Sequence, residues 1–261
     1  MSTPSEPGLV PAEDRPVVSG PADEGDLRAS LLELSRLSTV RLDLTDLLVQ
    51  VATFAVRAIP GADGAGLTLM EHDRADTMVA SAPFVREIDG IQYGLGEGPC
   101  ISAAAERATI RSGSLGGERR WPRFGPRAGR LGVHSVVSLP LLTPDGVVGA
   151  MNVYAHGRDA FDTRAAQIGE LFAVPAAIAV QNAQVLAATK RLAARLQAAV
   201  TSQAAIDRAV GVLMSRSGYT PEQAFDLLRQ WSQTRNTKLV VVARSLVEEA
   251  VRRARARHTG D

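Results

Sequence analysis

An apolar repeat inside a long helical segment, which the sequence extends from about Thr163 to Ser217, most constrains the fold of this chain. The repeat alternates spacings of four and three residues, which is the heptad pattern of a coiled coil. Its members are Leu192, Leu196, Ala199, Gln203, Ile206, Val210 and Leu213 and, towards the N-terminus, Thr189, Val185, Asn182, Ile178, Pro175 and Leu171. The repeat therefore predicts a parallel, dimeric coiled coil that joins two domains.

The heptad seam is imperfect because Gln203, Asn182 and Thr189 are polar. Polar residues at such positions fix register and strand number at some cost in stability. The alternative is a single helix that packs on its own domain. We favour the homodimer.

Charge is divided unequally between the two ends of the chain. Residues 190–261 carry 13 basic and six acidic side chains, a net charge of +7, whereas residues 1–189 carry a net charge of −6. Such a split indicates two parts with different partners, of which the basic part attracts a polyanion.

Three further features of the sequence indicate a cytoplasmic protein without a membrane partner. Cys100 is the only cysteine, so an internal disulfide and a cysteine-rich metal cluster are excluded. The longest wholly apolar run, Phe172 to Val180, is far shorter than the roughly 18 residues of a membrane-spanning helix. Residues 1–25 contain five prolines and no apolar segment of the signal-peptide type, which predicts a disordered tail.

The N-terminal part has the pattern of an α+β fold. Helical spacing covers Asp26 to Ser38 and about Leu44 to Ile59, and a glycine-rich loop leads into a short helix near Cys100. The strand-like segments are Ala65 to Met70, Thr77 to Ser81, His134 to Leu142 and Val147 to Ala155. The turn "TPDG" between the last two predicts a hairpin. The Arg- and Gly-rich segment Arg107 to Arg130 is expected to be a mobile flap.

This part of the chain, over about residues 44–187, resembles a GAF domain, a small-molecule sensor fold. The resemblance is carried by "GEGPC" at Gly96, "HSVVSLPLL" at His134, "GVVGAMNVYA" at Gly146 and a closing helix from "FDTRAAQIGELFA". It implies an antiparallel sheet with flanking helices and an unknown small-molecule effector. We expect the flap and the glycine-rich loop to roof the ligand pocket, with Trp121 as an apolar lid. The candidate ligand-binding residues are Gly96, Glu97, Gly98, Cys100, Trp121 and His134.

The basic C-terminal part has the pattern of a three-helix bundle. Gly218 is suited to end the long helix in a left-handed conformation. Thr220 caps the next helix, with Pro221 in its first position and Gln223 completing a capping box, and Asn236 is expected to cap the third. The predicted buried faces are Ile206, Val210 and Leu213; Ala224, Leu227, Leu228 and Trp231; and Leu239, Val242, Ala243, Leu246 and Val247.

This bundle resembles an ANTAR domain, the RNA-binding output module of transcription antitermination regulators. The motifs "AIDRAVGVLM", "GYTPEQAFDLLRQWS" and "NTKLVVVA" follow in order and at the right spacing. The chain departs from the family at Val210, where a lysine is frequent. The resemblance implies that the two modules of a dimer bind paired RNA stem-loops in a nascent transcript, so that a terminator hairpin cannot form.

The segment around the turn before the third helix carries the candidate RNA-binding residues. Lys238 at a helix N-terminus opposes the helix dipole in the free protein but helps to bind a phosphate. The alternative for this lysine is an exposed, solvated side chain. Gln and Asn side chains there are suited to bases in an RNA loop. The candidates are Arg229, Gln233, Arg235, Asn236 and Lys238, with Arg208 and Arg216 as weaker ones.

Catalytic residues, a cofactor and a metal are not expected from any motif. Cys100 at a helix start favours a lowered thiol pKa, which leaves a redox role open beside a structural one. His134 is expected to line the core or the pocket. The alternatives to an RNA-binding regulator are a GAF-fold small-molecule or redox enzyme and a DNA-binding helix-turn-helix regulator. The last is weakened by the apolar and acidic start of the third helix.

These patterns divide the chain into five parts. They are a disordered tail at 1–25, a sensor domain at 26–187, a linker helix at 188–204, an RNA-binding domain at 205–251 and a basic tail at 252–261.

Overall fold

The computed structural model describes residues 21–37, 42–71 and 74–258. The helices are α1 Pro21–Ser35, α2 Leu44–Ala58, α3 Pro83–Leu95, α4 Pro99–Glu106, α5 Gly125–Arg130, α6 Thr163–Ser217, α7 Pro221–Thr234 and α8 Leu239–His258. The strands are β1 Gly64–Glu71, β2 Arg74–Ala80, β3 Ile110–Ser112, β4 Ser135–Thr143 and β5 Gly146–Ala155. The chain divides into two compact units between Ala187 and Ala188.

The N-terminal boundary differs from the prediction. Helix α1 already begins at Pro21, so residues 21–25 are helical and do not belong to a disordered tail. The rest of the predicted tail, residues 1–20, lies outside the described residues.

The first unit is built on a five-stranded antiparallel sheet. Its strand order is β2-β1-β5-β4-β3. The predicted hairpin is confirmed, since β4 and β5 pair along their length up to Thr143 and Gly146. This is the α+β, antiparallel architecture that the sequence predicts.

One face of the sheet is covered by the first two helices and the beginning of α6. Alternate strand residues such as Leu139 and Val153 form an apolar core with Leu48 of α2 and Phe172 of α6. The side chain of Asp43 accepts a hydrogen bond from the Asp46 amide and so caps α2. Among the described residues α6 alone is long and apolar enough to cross a membrane, a criterion that core helices of soluble proteins also meet.

The opposite face is covered by α3, α4 and α5, and here the expectation of a flap is wrong. Strand β3 lies inside the segment 107–130 and pairs with β4. Trp121 is only 3% exposed and packs with Phe124 in the second core of this unit. Its indole nitrogen donates to Ser102 Oγ at 3.1 Å. Trp121 is therefore a core residue and does not form a lid.

The second unit is the predicted three-helix bundle. Its core joins Ala209 and Leu213 of α6 with Leu228 of α7 and Ala243 of α8. The capping box is confirmed, since Thr220 and Gln223 exchange hydrogen bonds between side chain and backbone. Val210 packs against this core, so the position where the resembling family often has lysine is here apolar for a structural reason.

Candidate functional site

The turn between α7 and α8 places the polar candidates in a defined backbone conformation. Helix α7 ends in a Schellman motif, in which the amide of Thr237 donates to the carbonyl of Ser232 and that of Asn236 to Gln233. Asn236 has a φ of 47°, the left-handed conformation that Asn tolerates better than most residues. The side chain of Asn236 is exposed.

The predicted role of Asn236 as the N-cap of the third helix is wrong. Helix α8 begins at Leu239, and the carbonyl of Lys238 accepts from the amides of Val241 and Val242. Lys238 is therefore the residue at the N-terminal boundary of α8, and Asn236 ends α7. Both side chains remain available to a ligand because both are exposed.

Five of the seven candidate RNA-binding residues lie on α7 and in this turn. Arg229 and Gln233 are four residues apart on α7 and share its exposed face. The Arg229 guanidinium lies 3.5 Å from the Asp226 carboxylate, in an ion pair exposed to solvent. Arg235 lies over the Trp231 ring at 5.9 Å from the centroid. Arg208 and Arg216 are exposed on α6 and so belong to another helix.

The predicted ligand-binding residues of the first unit have structural roles in the α3–α4 loop. Gly96 ends α3 in a left-handed conformation, with a φ of 65°. The Glu97 carboxylate accepts from the backbone amides of Arg123 and Phe124, at 2.7 and 3.1 Å. Gly98 leaves space for the Gln92 side chain, because an added Cβ would collide with it. A ligand at these residues stays a prediction.

Cys100 does not have the lowered pKa that its place at a helix start predicts. It is buried, and burial raises the pKa of its thiol to about 12. Its Sγ lies 2.8 Å from the Tyr93 hydroxyl. His134 is half-buried just before β4, and its Nδ1 is buried without a hydrogen-bond partner among the described residues.

A buried polar cluster that the sequence did not reveal lies between the sheet and α3. Asp89 of α3 is 2% exposed, and its Oδ1 accepts three hydrogen bonds. The donors are the Tyr154 hydroxyl at 2.6 Å, the Asn152 amide at 2.9 Å and the Gln92 amide at 3.0 Å. Ser138 extends the cluster by donating to Asn152 Oδ1.

The second carboxylate oxygen of Asp89 is not satisfied. Asp89 Oδ2 and the Thr68 hydroxyl are buried and have no hydrogen-bond partner among the described residues. Gly66, two residues before Thr68 and on the same face of β1, makes room for the carboxylate, because a Cβ there would collide with Oδ2. A buried, half-satisfied carboxylate is costly when it is ionised.

Burial raises the pKa of Asp89 to about 6 from its ordinary value of 3.8, and the hydrogen bonds from Tyr154, Asn152 and Gln92 limit the rise. The folded state therefore binds this proton more tightly than the unfolded state does. The resulting stability is fully present below about pH 4 and is lost as the pH rises through about 6.

We expect Asp89→Asn to remove this pH dependence. Between about pH 4 and pH 7 the free energy of unfolding of the wild type should fall by roughly 2–3 kcal/mol through this group, and that of the variant should not. Chemical unfolding at the two pH values measures the difference. Asp145→Asn, a change at an exposed aspartate of the β4–β5 turn, is the matched control and should behave as the wild type. Equal pH dependence in Asp89→Asn and the wild type would contradict the assignment.

Two open clefts lie elsewhere in the first unit. One of about 720 Å³ is lined by Arg111, Ser112, Glu118 and Asp162 among others. The other, of about 390 Å³, lies between Arg107, Leu142 and Glu170. Neither cleft is lined by the six predicted ligand-binding residues.

Comparison with known families identifies both parts of the chain. The family model of the GAF domain matches residues 41–181, and that of the ANTAR domain matches residues 194–247. Among curated protein sequences, none matches the chain.

Solved structures resemble the first part of the chain. The GAF domain from a phosphoenolpyruvate-protein phosphotransferase of Coxiella burnetii is 16% identical, with a TM-score of 0.50 over 64% of this chain and 97% of that one. A free methionine-R-sulfoxide reductase from Neisseria meningitidis, in complex with its substrate, is 16% identical, with a TM-score of 0.46 over 63% of this chain and 91% of that one. At 16% identity the likeness to the Coxiella burnetii domain concerns the fold alone.

Proposed function

The chain belongs to the GAF-domain family and carries an ANTAR domain behind its GAF domain, and from this premise we propose that it is a transcription antitermination regulator. The architecture is that of a regulator with a sensory domain and an RNA-binding output domain. We propose that the output domain, at 205–251, binds stem-loop RNA and that the GAF domain, at 26–187, controls it. A linker helix at 188–204 would join them, and a basic tail at 252–261 would follow.

The observation that carries this proposal is the exposed polar surface of the α7–α8 turn. Arg235, Asn236 and Lys238 lie within four residues of one another and are all exposed. The surrounding segment has a net charge of +7. Clustered cations of this kind attract a nucleic-acid backbone and release its counterions.

The side chains of this surface divide into two kinds of contact. Arg229, Arg235 and Lys238 would neutralise phosphates, and Arg229 would exchange its exposed partner Asp226 for the RNA. Gln233 and Asn236 carry amides, which suit the edges of unstacked bases in a loop. We therefore propose that this protein surface binds a single-stranded RNA loop, with the bases contacted by the amides and the flanking phosphates by the cations.

A homodimer fits the exposed apolar residues of α6. Leu171, Ile178, Leu192 and Leu196 of the heptad seam are between 50% and 62% exposed. A leucine gains about 1.5–3 kcal/mol when it is fully buried, so a second copy of the chain would stabilise this helix. Two output domains in one dimer would then bind two stem-loops, and this pairing would prevent a terminator hairpin from forming.

A GAF-fold redox enzyme is the competing function, and the state of Cys100 opposes it. A reactive cysteine needs access and a substantial thiolate fraction. The thiol of Cys100 is buried and its pKa is raised to about 12. We therefore propose a cytoplasmic regulator without catalytic residues, cofactor or metal.

Binding of the full chain to RNA and to DNA tests the function. Target sequences are found first, by sequencing RNA crosslinked to the protein in cells. The probes are then a paired stem-loop RNA, the same RNA with one stem-loop, and duplex DNA of the same sequence. We expect the paired RNA to bind most tightly. Equal affinity for the duplex DNA would contradict the RNA-binding function and favour a DNA-binding regulator.

Asn236 allows the side chain to be tested separately from the backbone. We expect Asn236→Gly to keep stability within about 0.5 kcal/mol, because glycine adopts the left-handed conformation without strain. The free energy of unfolding of Asn236→Ala should fall by about 1 kcal/mol or more, because alanine is strained in the left-handed conformation of this position. If the amide contacts a base, both variants should discriminate less between loop sequences. Discrimination unchanged in Asn236→Gly would remove Asn236 from the site.

A further inference from the structure

The interior of the GAF domain contains a carboxylate, that of Asp89, which has no counter-charge among the described residues. The titratable groups that face Asp89 are Tyr154 of β5, Tyr93 of α3 and Cys100 of α4, and none of them carries a positive charge. Within the described part of the chain, no arginine or lysine forms an ion pair with Asp89. Buried charges in proteins are normally paired with an opposite charge or a metal. Asp89 thus has the environment of one half of an ion pair.

The buried atoms without hydrogen-bond partners indicate where a cation that pairs with Asp89 would bind. Asp89 Oδ2 belongs to α3 and the Thr68 hydroxyl to β1, and both are buried without a partner among the described residues. Gly66, on the same face of β1 as Thr68, lies against Asp89 Oδ2, so both polar atoms lie on the sheet face that α3 covers.

The chemistry around Asp89 suits a nitrogen cation better than a metal ion. No group of three or more His, Cys, Asp or Glu side chains in the described part of the chain could hold a metal. The neighbouring groups are amides, hydroxyls and a thiol, and apolar residues such as Val85 and Ile88 lie beside them. An N–H cation forms strong, charge-assisted hydrogen bonds with a carboxylate, while an apolar wall accommodates its carbon skeleton.

We propose that Asp89 anchors the effector of this GAF domain, and that the effector is a small molecule with a protonated N–H-donating nitrogen, such as an ammonium, amidinium or guanidinium group. The nitrogen donates to Asp89 Oδ2, and the Thr68 hydroxyl provides the second polar contact. This inference rests on the proposed sensory function and adds the site and the ligand class to it.

The ion pair requires the charged form of Asp89, so binding depends on pH. The pKa of Asp89 is about 6 in the folded chain, whereas burial raises those of Tyr93 and Tyr154 above their ordinary value and that of Cys100 to about 12. Below pH 8 only Asp89 of this group changes its charge. The affinity for an N–H cation should fall about tenfold from about pH 7.5 to pH 5.

Thermal unfolding of the full chain with small cations tests the proposal. The probes are methylammonium and guanidinium, the smallest members of the class, and agmatine, which joins a guanidinium and an ammonium group by a short carbon chain, each up to about 50 mM. Tetramethylammonium, which has the charge without an N–H group, and potassium are the controls. At least one probe should raise Tm by about 2 °C or more above these controls, and isothermal titration should give its affinity.

Variants assign the binding to the buried carboxylate. Asp89→Asn should weaken the best probe at least about tenfold, and Thr68→Val should weaken it about three- to tenfold. Asp145→Asn should leave it unchanged. If Asp89→Asn does not fold, the pH dependence of the wild type decides the question alone.

The outcomes separate this inference from the proposed function. No shift from any N–H cation, or equal binding by Asp89→Asn and the wild type, would overturn the inference. Binding that does not change between about pH 7.5 and pH 5 would also overturn it. RNA binding is measured on the same preparations. If the wild type binds an N–H cation but does not bind RNA, the result contradicts the proposed output function and leaves this inference standing.

Discussion

Replacing Arg235 and Lys238 together with alanine is expected to weaken binding to a paired stem-loop RNA about 100-fold at physiological salt. Each lost cation should also lower the salt slope by about one unit or less. Both side chains are exposed, and neither belongs to the core of the bundle, so the fold should persist. Filter binding or fluorescence anisotropy across a salt series measures both effects.

A second pair of exposed arginines on α8 controls for the change in net charge. Arg244→Ala with Arg252→Ala removes the same two charges outside the α7–α8 turn. We expect this control to lose less than about fivefold in affinity, because it lowers only the general electrostatic attraction. Helicity and dimerisation should match the wild type in both double variants. Undiminished binding by the Arg235 and Lys238 variant would contradict the assignment of the turn.

The second unit could be predicted from its sequence because helix boundaries are marked by local signals. Gly218, Thr220 and Pro221 act within a few residues of their own positions, and the structure confirms each of them. The sequence pattern places Asn236 in the wrong helix because Asn is favoured both at an N-cap and in the left-handed position after a helix. The tertiary fold decides between these two uses, and a single sequence does not contain that information.

The sequence pattern does not predict helix α3 or the polar cluster, and one feature explains both. The buried face of α3 is formed by Val85, Ile88, Asp89 and Gln92, which have helical spacing. Two of these four residues are polar, so the apolar period that identifies a helix is interrupted where the helix meets the sheet. Functional sites commonly place polar residues on a buried face, where they lower stability. The interruption of the apolar pattern is therefore the feature of the sequence that indicates this cluster.

The prediction of a flap at 107–130 is wrong because it rests on the composition of the segment and not on its few apolar residues. Its arginines and glycines suggested a mobile loop, yet Trp121 and Phe124 pack in the core with Leu115. Strand β3 has only three residues, too few for an alternating pattern to be recognised. The composition of the segment therefore predicts a mobile loop, whereas the packing of these three residues in the core holds the segment in place.

Introducing aspartate at both Leu192 and Leu196 is expected to convert the proposed dimer to a monomer. Both leucines lie in the heptad seam and are more than half exposed in the single chain. A dimer would bury four of them, and the substitutions would replace that burial with four carboxylates, at a cost of about 6 kcal/mol or more. Light scattering of the variant over a concentration series measures the change.

The matched control places the same aspartates on the outer face of the same helix. Ala194 and Ala198 have the same four-residue separation and are exposed, but they lie outside the seam. Ala194→Asp with Ala198→Asp should stay dimeric, although both double variants lose similar helix propensity. A dimeric Leu192 and Leu196 variant would show that α6 is not the interface, and contact between GAF domains would become the better explanation.

The monomeric variant also separates the RNA affinity of one output domain from the additional affinity that two linked domains provide. Residues 205–251 are unchanged in it, so its affinity for RNA with one stem-loop should equal that of the wild type. Its affinity for paired stem-loops should fall about 100-fold or more, because the second contact is no longer intramolecular. Equal losses on both RNAs would mean that the substitutions disturb the output domain itself. A loss confined to the paired RNA would mean that the dimer binds its target through both domains.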